Sequence, residues 1–167
     1  MTPEGAAYRM VTGRSLTGEH DASVHERMSE LERAAGGKGA AARMAGVSER
    51  SWRDWRRGTH NPSRISAERL RGAVRRARLS PGRETKIRDF RGAVTITGKF
   101  RVSRDVRMRK VKMTRTNVPT HAHGIPGQIV DDVLSGDDQS AGDRLLGLVG
   151  AYAPGMEVTE ISRTTFG

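Results

Sequence analysis

Four side chains that can hydrogen-bond to base edges fall within five residues of the sequence. Arginine donates two parallel hydrogen bonds to O6 and N7 of guanine, glutamate accepts one from N4 of cytosine, and serine bonds to several bases. The stretch ERSWR therefore predicts base contacts by Glu49, Arg50, Ser51 and Arg53.

Polar residues on either side of this stretch are suited to phosphate, which fixes the register of a protein on DNA without reading sequence. The predicted phosphate contacts here are Lys38, Arg43, Ser48, Arg56 and Arg57. The alternative is a plain helical hairpin whose arginines form a solvated surface.

The local sequence predicts a helix-turn-helix that would hold these side chains. We expect a helix over 38–45, a turn at Gly46-Val47 and a second helix over 48–57. Glycine adopts the positive φ of a tight turn without steric cost, and Ser48 is a good N-cap. Trp52 and Trp55, three residues apart, fall on one helix face and are predicted to lie in the core.

The charge distribution favours a polyanionic partner. Residues 23–118 hold 26 of the 30 Lys and Arg residues and only nine of the 19 Asp and Glu residues, whereas residues 119–167 are acidic. Nucleic acid is the commonest partner of such a region, although a basic surface also aids solubility. The chain has no cysteine and no apolar run long enough for a membrane span, so we expect a cytoplasmic, nucleoid-associated protein without a membrane partner.

The expected fold class is α+β, with three segments. Residues 1–22 are predicted to form a flexible tail, 23–91 an all-helical helix-turn-helix domain, and 92–167 a small β-β-α-α-β layer. Alternating apolar residues predict a hairpin over 93–102 and 105–116, with a bulge or an edge strand at Arg109-Lys110. A closing strand is expected over 156–166.

The predicted hairpin supplies a second basic surface. One strand face is expected to be apolar and the other to contact phosphate, and the residues assigned to that contact are Arg101, Arg107, Arg109 and Lys112. The acidic helices that follow are more typical of a protein contact surface, and we expect a homodimer.

Catalytic motifs are scarce. His121 and His123 have the spacing of a His-x-His metal pair, but prolines and a glycine flank them where nicking enzymes have a buried strand. We therefore expect no metal site, no cofactor and no catalytic activity of the chain's own.

The order of motifs resembles the telomere-capping terminal proteins (Tpg type) of linear actinomycete chromosomes and plasmids. The resemblance is clearest in GGKGAAARMAGVSERSWRDWRRGTHNPSRISAERLRGAVRRA, residues 36–77, and continues through VTITGKFRVS, RDVRMRKVKM and the final helix-strand unit. A helix-turn-helix alone is shared by many regulators. The discriminating feature is that motif followed by a basic hairpin and an acidic tail.

The resemblance implies a protein that binds double-stranded or telomeric DNA, works with a DNA polymerase and a telomere-associated protein, and primes end synthesis through its own hydroxyl. In the family the hydroxyl lies in the loop between two strands. The only hydroxyl in the corresponding short loop here is that of Ser103, and the further candidates are Thr97, Thr114 and Thr116. The alternative function is a transcriptional or plasmid-replication regulator that binds an operator as a dimer.

Overall fold

The computed structural model describes residues 1–167 and confirms the α+β class, with helices first and an antiparallel sheet after them. The helices are α1 (Pro3–Thr12), α2 (Leu16–Asp21), α3 (Val24–Ala35), α4 (Lys38–Met44), α5 (Glu49–Arg57), α6 (Arg64–Arg78), α7 (Pro81–Arg88), α8 (Ile125–Ser135) and α9 (Asp138–Tyr152). The strands are β1 (Ala93–Val102), β2 (Asp105–Thr114) and β3 (Met156–Phe166), and a short 3₁₀ turn covers Thr120–Ala122.

The chain divides into two compact units whose bounds differ from the expected ones. The helical unit covers residues 19–80, and the sheet unit combines residues 1–18 with residues 81–167. Helix α7 therefore belongs to the sheet unit, although its sequence was assigned to the helix-turn-helix domain.

The flexible tail expected over residues 1–22 is wrong, because its first half is an ordered helix. Thr2 caps α1 and Pro3 occupies the first turn, where its missing N–H removes no hydrogen bond. Tyr8, Met10 and Val11 are fully buried, and α1 packs against α9 and β3. These residues complete the core of the sheet unit.

Apolar side chains from α3, α4, α5 and α6 form the core of the helical unit, which includes Met28, Leu31, Trp52, Leu70 and Val74. Ser23 begins α3 with a capping box, in which its hydroxyl and the Glu26 carboxylate each accept a backbone N–H.

A buried ion pair joins the two ends of the helical unit. The Glu19 carboxylate accepts a hydrogen bond from Arg75 at 2.8 Å, and both side chains are at least 95% buried. Arg27 donates to the Glu19 carbonyl at 2.7 Å, and burial lowers the pKa of Arg27. The three residues form one buried polar cluster.

The sheet has the order β2-β1-β3, and both pairings are antiparallel. The hairpin register runs without interruption from Ala93–Thr114 to Val102–Asp105, so the predicted bulge at Arg109-Lys110 is wrong and the edge-strand alternative is right. The irregularities lie instead between β1 and β3, beside Gly98. A Cβ atom on Gly98 would lie 2.0 Å from the Glu160 carbonyl oxygen, so this close approach requires glycine.

The helices α8 and α9 each bury one apolar face. Ile129, Val130 and Val133 are buried on α8, and Leu145 and Leu148 are buried on α9. None of the helices has both the length and the apolar composition that a membrane span requires.

Candidate nucleic-acid interface

The predicted helix-turn-helix segment forms two helices joined by a tight turn. Ala45 ends α4, Gly46 has φ of 66°, and Val47 packs against the core. The Ser48 hydroxyl then accepts the backbone N–H of Ser51 at 3.0 Å, which caps α5.

Both tryptophans face the interior of the helical unit. Trp52 is 1% and Trp55 is 6% exposed, and the centres of their rings lie 6.2 Å apart. They act as core residues that fix the rotation of α5, and they do not form a platform on which bases could stack.

Glu32 ties α5 to α3. Its carboxylate accepts hydrogen bonds from the Trp52 indole N–H at 2.8 Å and from Nη2 of Arg56 at 2.7 Å. These bonds, that of Arg56 above all, hold the pKa of Glu32 below its ordinary value. Arg56 also donates to the Ser29 hydroxyl at 2.9 Å, so its guanidinium is already engaged in holding α5 against α3, and its contact with phosphate stays a prediction.

Three arginines remain on the opposite side of α5. Arg50, Arg53 and Arg57 are exposed, and none forms an ion pair or a side-chain hydrogen bond. Their i, i+3, i+7 spacing places them in one row on the helix surface. We call these three residues the arginine row; at about 1.5 Å per residue it is about 10 Å long.

The other residues predicted around α5 have mixed environments. Lys38 is exposed, and the exposed Glu49 lies 3.9 Å from Arg43. The hydroxyls of Ser48 and Ser51 lie 2.9 Å apart in a hydrogen bond, so the Ser51 hydroxyl is already engaged at the helix start.

The predicted basic strand face does not exist as a single surface. Directly opposed residues of an antiparallel pair lie on the same side of the sheet. Arg107 is opposite the buried Phe100 and Arg109 is opposite Gly98, so both arginines lie on the core side. Arg107 pairs with Asp105 at 2.7 Å. The opposite side of the sheet, turned away from the core, is called the open face. Of the four residues predicted to contact phosphate, Arg101 and Lys112 lie on it.

The open face also contains basic residues for which the sequence predicted no contact. Lys110 and Arg163 are exposed there, on opposite sides of Thr97. The alternation of Arg163 and Thr165 in the last strand was visible in the sequence, but the pairing of that strand with β1 was not.

Ser103 lies at the tip of the hairpin. Val102 pairs with Asp105, so the loop has only two residues, and Ser103 adopts a positive φ of 56°. Positive φ at the first loop position alone is typical of a type II′ turn, where glycine is preferred. The Ser103 side chain is exposed.

Of the further candidate residues, Thr97 and Thr114 are partly buried and Thr116 is exposed. Thr114 and Thr116 share a hydrogen bond at 2.9 Å, and Thr97 is partly buried in the middle of the sheet.

The two histidines do not converge on a common ligand position. His121 is exposed in the 3₁₀ turn, and Nε2 of His123 lies 3.3 Å from the Val118 carbonyl oxygen. No cluster of three or more His, Cys, Asp or Glu side chains is arranged to hold a metal ion.

Comparison of the chain with protein-family models, with curated proteins and with solved structures finds no match. What the chain binds must therefore be inferred from its own residues.

Proposed function

We propose that the chain binds duplex DNA through α5, whose arginine row enters the major groove. The observation that carries this proposal is three exposed arginines without carboxylate partners, aligned on a helix whose other side is anchored in the core. The major groove is about 12 Å wide and admits one α-helix. An anchored helix loses little conformational freedom on binding, which favours sequence-specific contacts.

Arg50 and Arg53 lie near the start of α5 and read base edges, whereas Arg57 at its end contacts phosphate. Recognition helices commonly place their first turns deepest in the groove. Glu49 is exposed beside Arg50 and is available to cytosine N4.

The proposal is tested by selecting a preferred duplex from a random library and measuring its affinity by fluorescence anisotropy. Arg50→Ala should weaken the selected site by about 1–3 kcal/mol, or about 5- to 150-fold, and relax one base position. Arg76→Ala, an exposed arginine of α6, is the control with the same change in charge. Equal losses on selected and random DNA would show that Arg50 contacts only phosphate.

The cellular role proposed for this DNA-binding chain is that of a nucleoid-associated terminal protein at the ends of a linear replicon. Its support is the resemblance of residues 36–77 together with the exposed Ser103 hydroxyl on a two-residue loop. In the priming step Ser103 Oγ forms a bond to the α-phosphorus of a deoxynucleoside triphosphate. The bond from that phosphorus to the bridging oxygen breaks, pyrophosphate leaves, and the hydroxyl proton passes to solvent. The metal ions of the polymerase activate the phosphate.

A covalent labelling assay separates this role from that of an operator-binding regulator. The chain is incubated with the polymerase of its replicon and an α-labelled deoxynucleotide, and the protein band is counted after denaturation. The priming role predicts a labelled band that Ser103→Ala abolishes and that Thr116→Val, at an exposed hydroxyl outside the hairpin loop, preserves. Retained duplex binding without a labelled band, together with a dimer in solution, would favour the regulator.

A further inference from the structure

The open face of the sheet carries two adjacent rows of cationic and hydroxyl side chains. Lys110, Thr97 and Arg163 are opposed across the three strands and form the first row. Lys112, Thr95 and Thr165 form the second. Directly opposed side chains in antiparallel strands start about 5 Å apart, so each row spans about 10 Å.

A hollow of about 270 Å³ lies over these rows, and its lining residues are Thr95, Thr97, Lys110, Arg163 and Thr165. Thr95 and Thr97 are partly buried at its floor, and the two cations stand exposed at its sides. Sites that enclose a whole small ligand measure about 300–1,000 Å³, so this hollow suits a single group of a larger molecule.

The charge of the hollow is not neutralised by the protein. Elsewhere on the same face Lys99 donates to Glu160 at 2.6 Å and Arg101 donates to Glu157 at 3.2 Å. Lys110 and Arg163 have no such carboxylate partner, and the three threonine hydroxyls of the hollow make no side-chain hydrogen bond. On the open face, the positive charge that no carboxylate balances is therefore confined to the two rows.

We propose that this hollow binds a phosphate group, held between the Lys110 ammonium and the Arg163 guanidinium with threonine hydroxyls as further donors. Charge-assisted hydrogen bonds from both cations match the charge of phosphate, and each hydroxyl supplies one O–H donor. The phosphate is either a backbone phosphate of a single nucleic-acid strand lying across the sheet or the terminal phosphate of a free nucleotide. The site lies outside α5 and does not depend on duplex recognition.

The test uses the full chain carrying Arg50→Ala and Arg53→Ala, so that failure of the duplex site does not affect the result. Inorganic phosphate is titrated while amide NMR shifts are followed, and a fluorescent oligodeoxythymidylate is titrated by anisotropy. Lys110→Gln with Arg163→Gln is compared with Lys99→Gln with Arg101→Gln, a pair on the same face with the same loss of charge.

We expect phosphate to shift the amides of Thr95, Thr97 and Thr165, and the first double substitution to weaken its binding at least tenfold. The control pair should retain it within twofold, and Thr97→Val, which removes a hydroxyl but keeps the side-chain shape, should weaken it a few-fold. For the oligonucleotide, loss of one phosphate contact should reduce the slope of log K against log salt by about 0.7.

Binding of both probes would support a backbone phosphate as the ligand, and binding of inorganic phosphate without the oligonucleotide would support the phosphate of a free nucleotide. Binding of the oligonucleotide alone, lost only in the first double variant, would also support the backbone source. The proposal would be overturned if both double variants lost the same amount of phosphate affinity. It would also be overturned if neither probe bound and the threonine amide signals did not shift.

Discussion

Glu32→Gln is expected to weaken the attachment of α5 to α3 while leaving the arginine row intact. The Glu32 carboxylate accepts from Arg56 at 2.7 and 3.3 Å and from Trp52 at 2.8 Å, and its side chain is 16% exposed. Glutamine keeps an acceptor for the indole but loses the charge. A hydrogen bond to a charged group contributes about 1.5–3 kcal/mol net, and we expect that loss in the free energy of unfolding at neutral pH.

The size of the loss should depend on pH in a defined direction. Because the pKa of Glu32 is lowered in the folded state, its contribution is fully present above the unfolded value of about 4.3. The contribution is lost as the pH falls through the lower folded pKa. Glutamine does not titrate, so the stability difference between the wild type and Glu32→Gln should shrink below about pH 4.

Tryptophan fluorescence is the appropriate assay, since both tryptophans of the chain lie on α5 and report on the helical unit alone. Urea titrations at several pH values give the free energy of unfolding for each variant. Glu68→Gln is the matched control, because its partner Arg64 is 90% exposed and such pairs contribute less than about 0.5 kcal/mol. A difference for Glu32→Gln that is no larger than that of the control, or that persists unchanged in acid, would refute the anchoring role.

Three further changes probe the fold. Glu19→Gln should destabilise the helical unit by about 3–5 kcal/mol in urea titrations, because it leaves the buried Arg75 without its carboxylate. Gly98→Ala should cost the sheet unit at least about 3 kcal/mol through the clash with the Glu160 carbonyl, whereas Gly150→Ala, in open space on α9, should be neutral or stabilising. Ser103→Gly should stabilise the hairpin by about 0.5–1 kcal/mol in circular-dichroism melts, because glycine relieves the positive φ.

The sequence predicted the elements whose signals are local. The turn at Gly46, the cap at Ser48 and the buried faces of Trp52 and Trp55 all follow from spacing and residue type within about 20 positions, and the structure confirms them. The hairpin turn at Ser103 was equally local.

The features that the sequence missed depend on distant partners. Nothing in the sequence near α1 indicates that α9 packs on it, so the segment was predicted to be a flexible tail. Val106 and Met108 alternate like core residues, but the register places them on the open face, where they are 45% and 56% exposed. The partner of Arg56 lies 24 residues away on another helix, and its charge alone suggested a phosphate contact.

Whether a basic residue is available to a polyanion depends on the ion pairs that it forms within the protein. The net charge of the chain does not show which residues these are. In the helical unit the carboxylates of Glu19, Glu30 and Glu32 hold Arg75, Arg78 and Arg56, which connect helices to one another. The arginine row keeps its charge because none of its three guanidinium groups forms an ion pair. Each phosphate contact on duplex DNA changes the slope of log K against log salt by about 0.9. Arg57→Ala should therefore reduce the magnitude of this slope by about 0.9, whereas Arg78→Ala, which removes an arginine already paired with Glu30, should leave it unchanged. Equal reductions in both variants would mean that overall charge, and not the row, attracts the DNA.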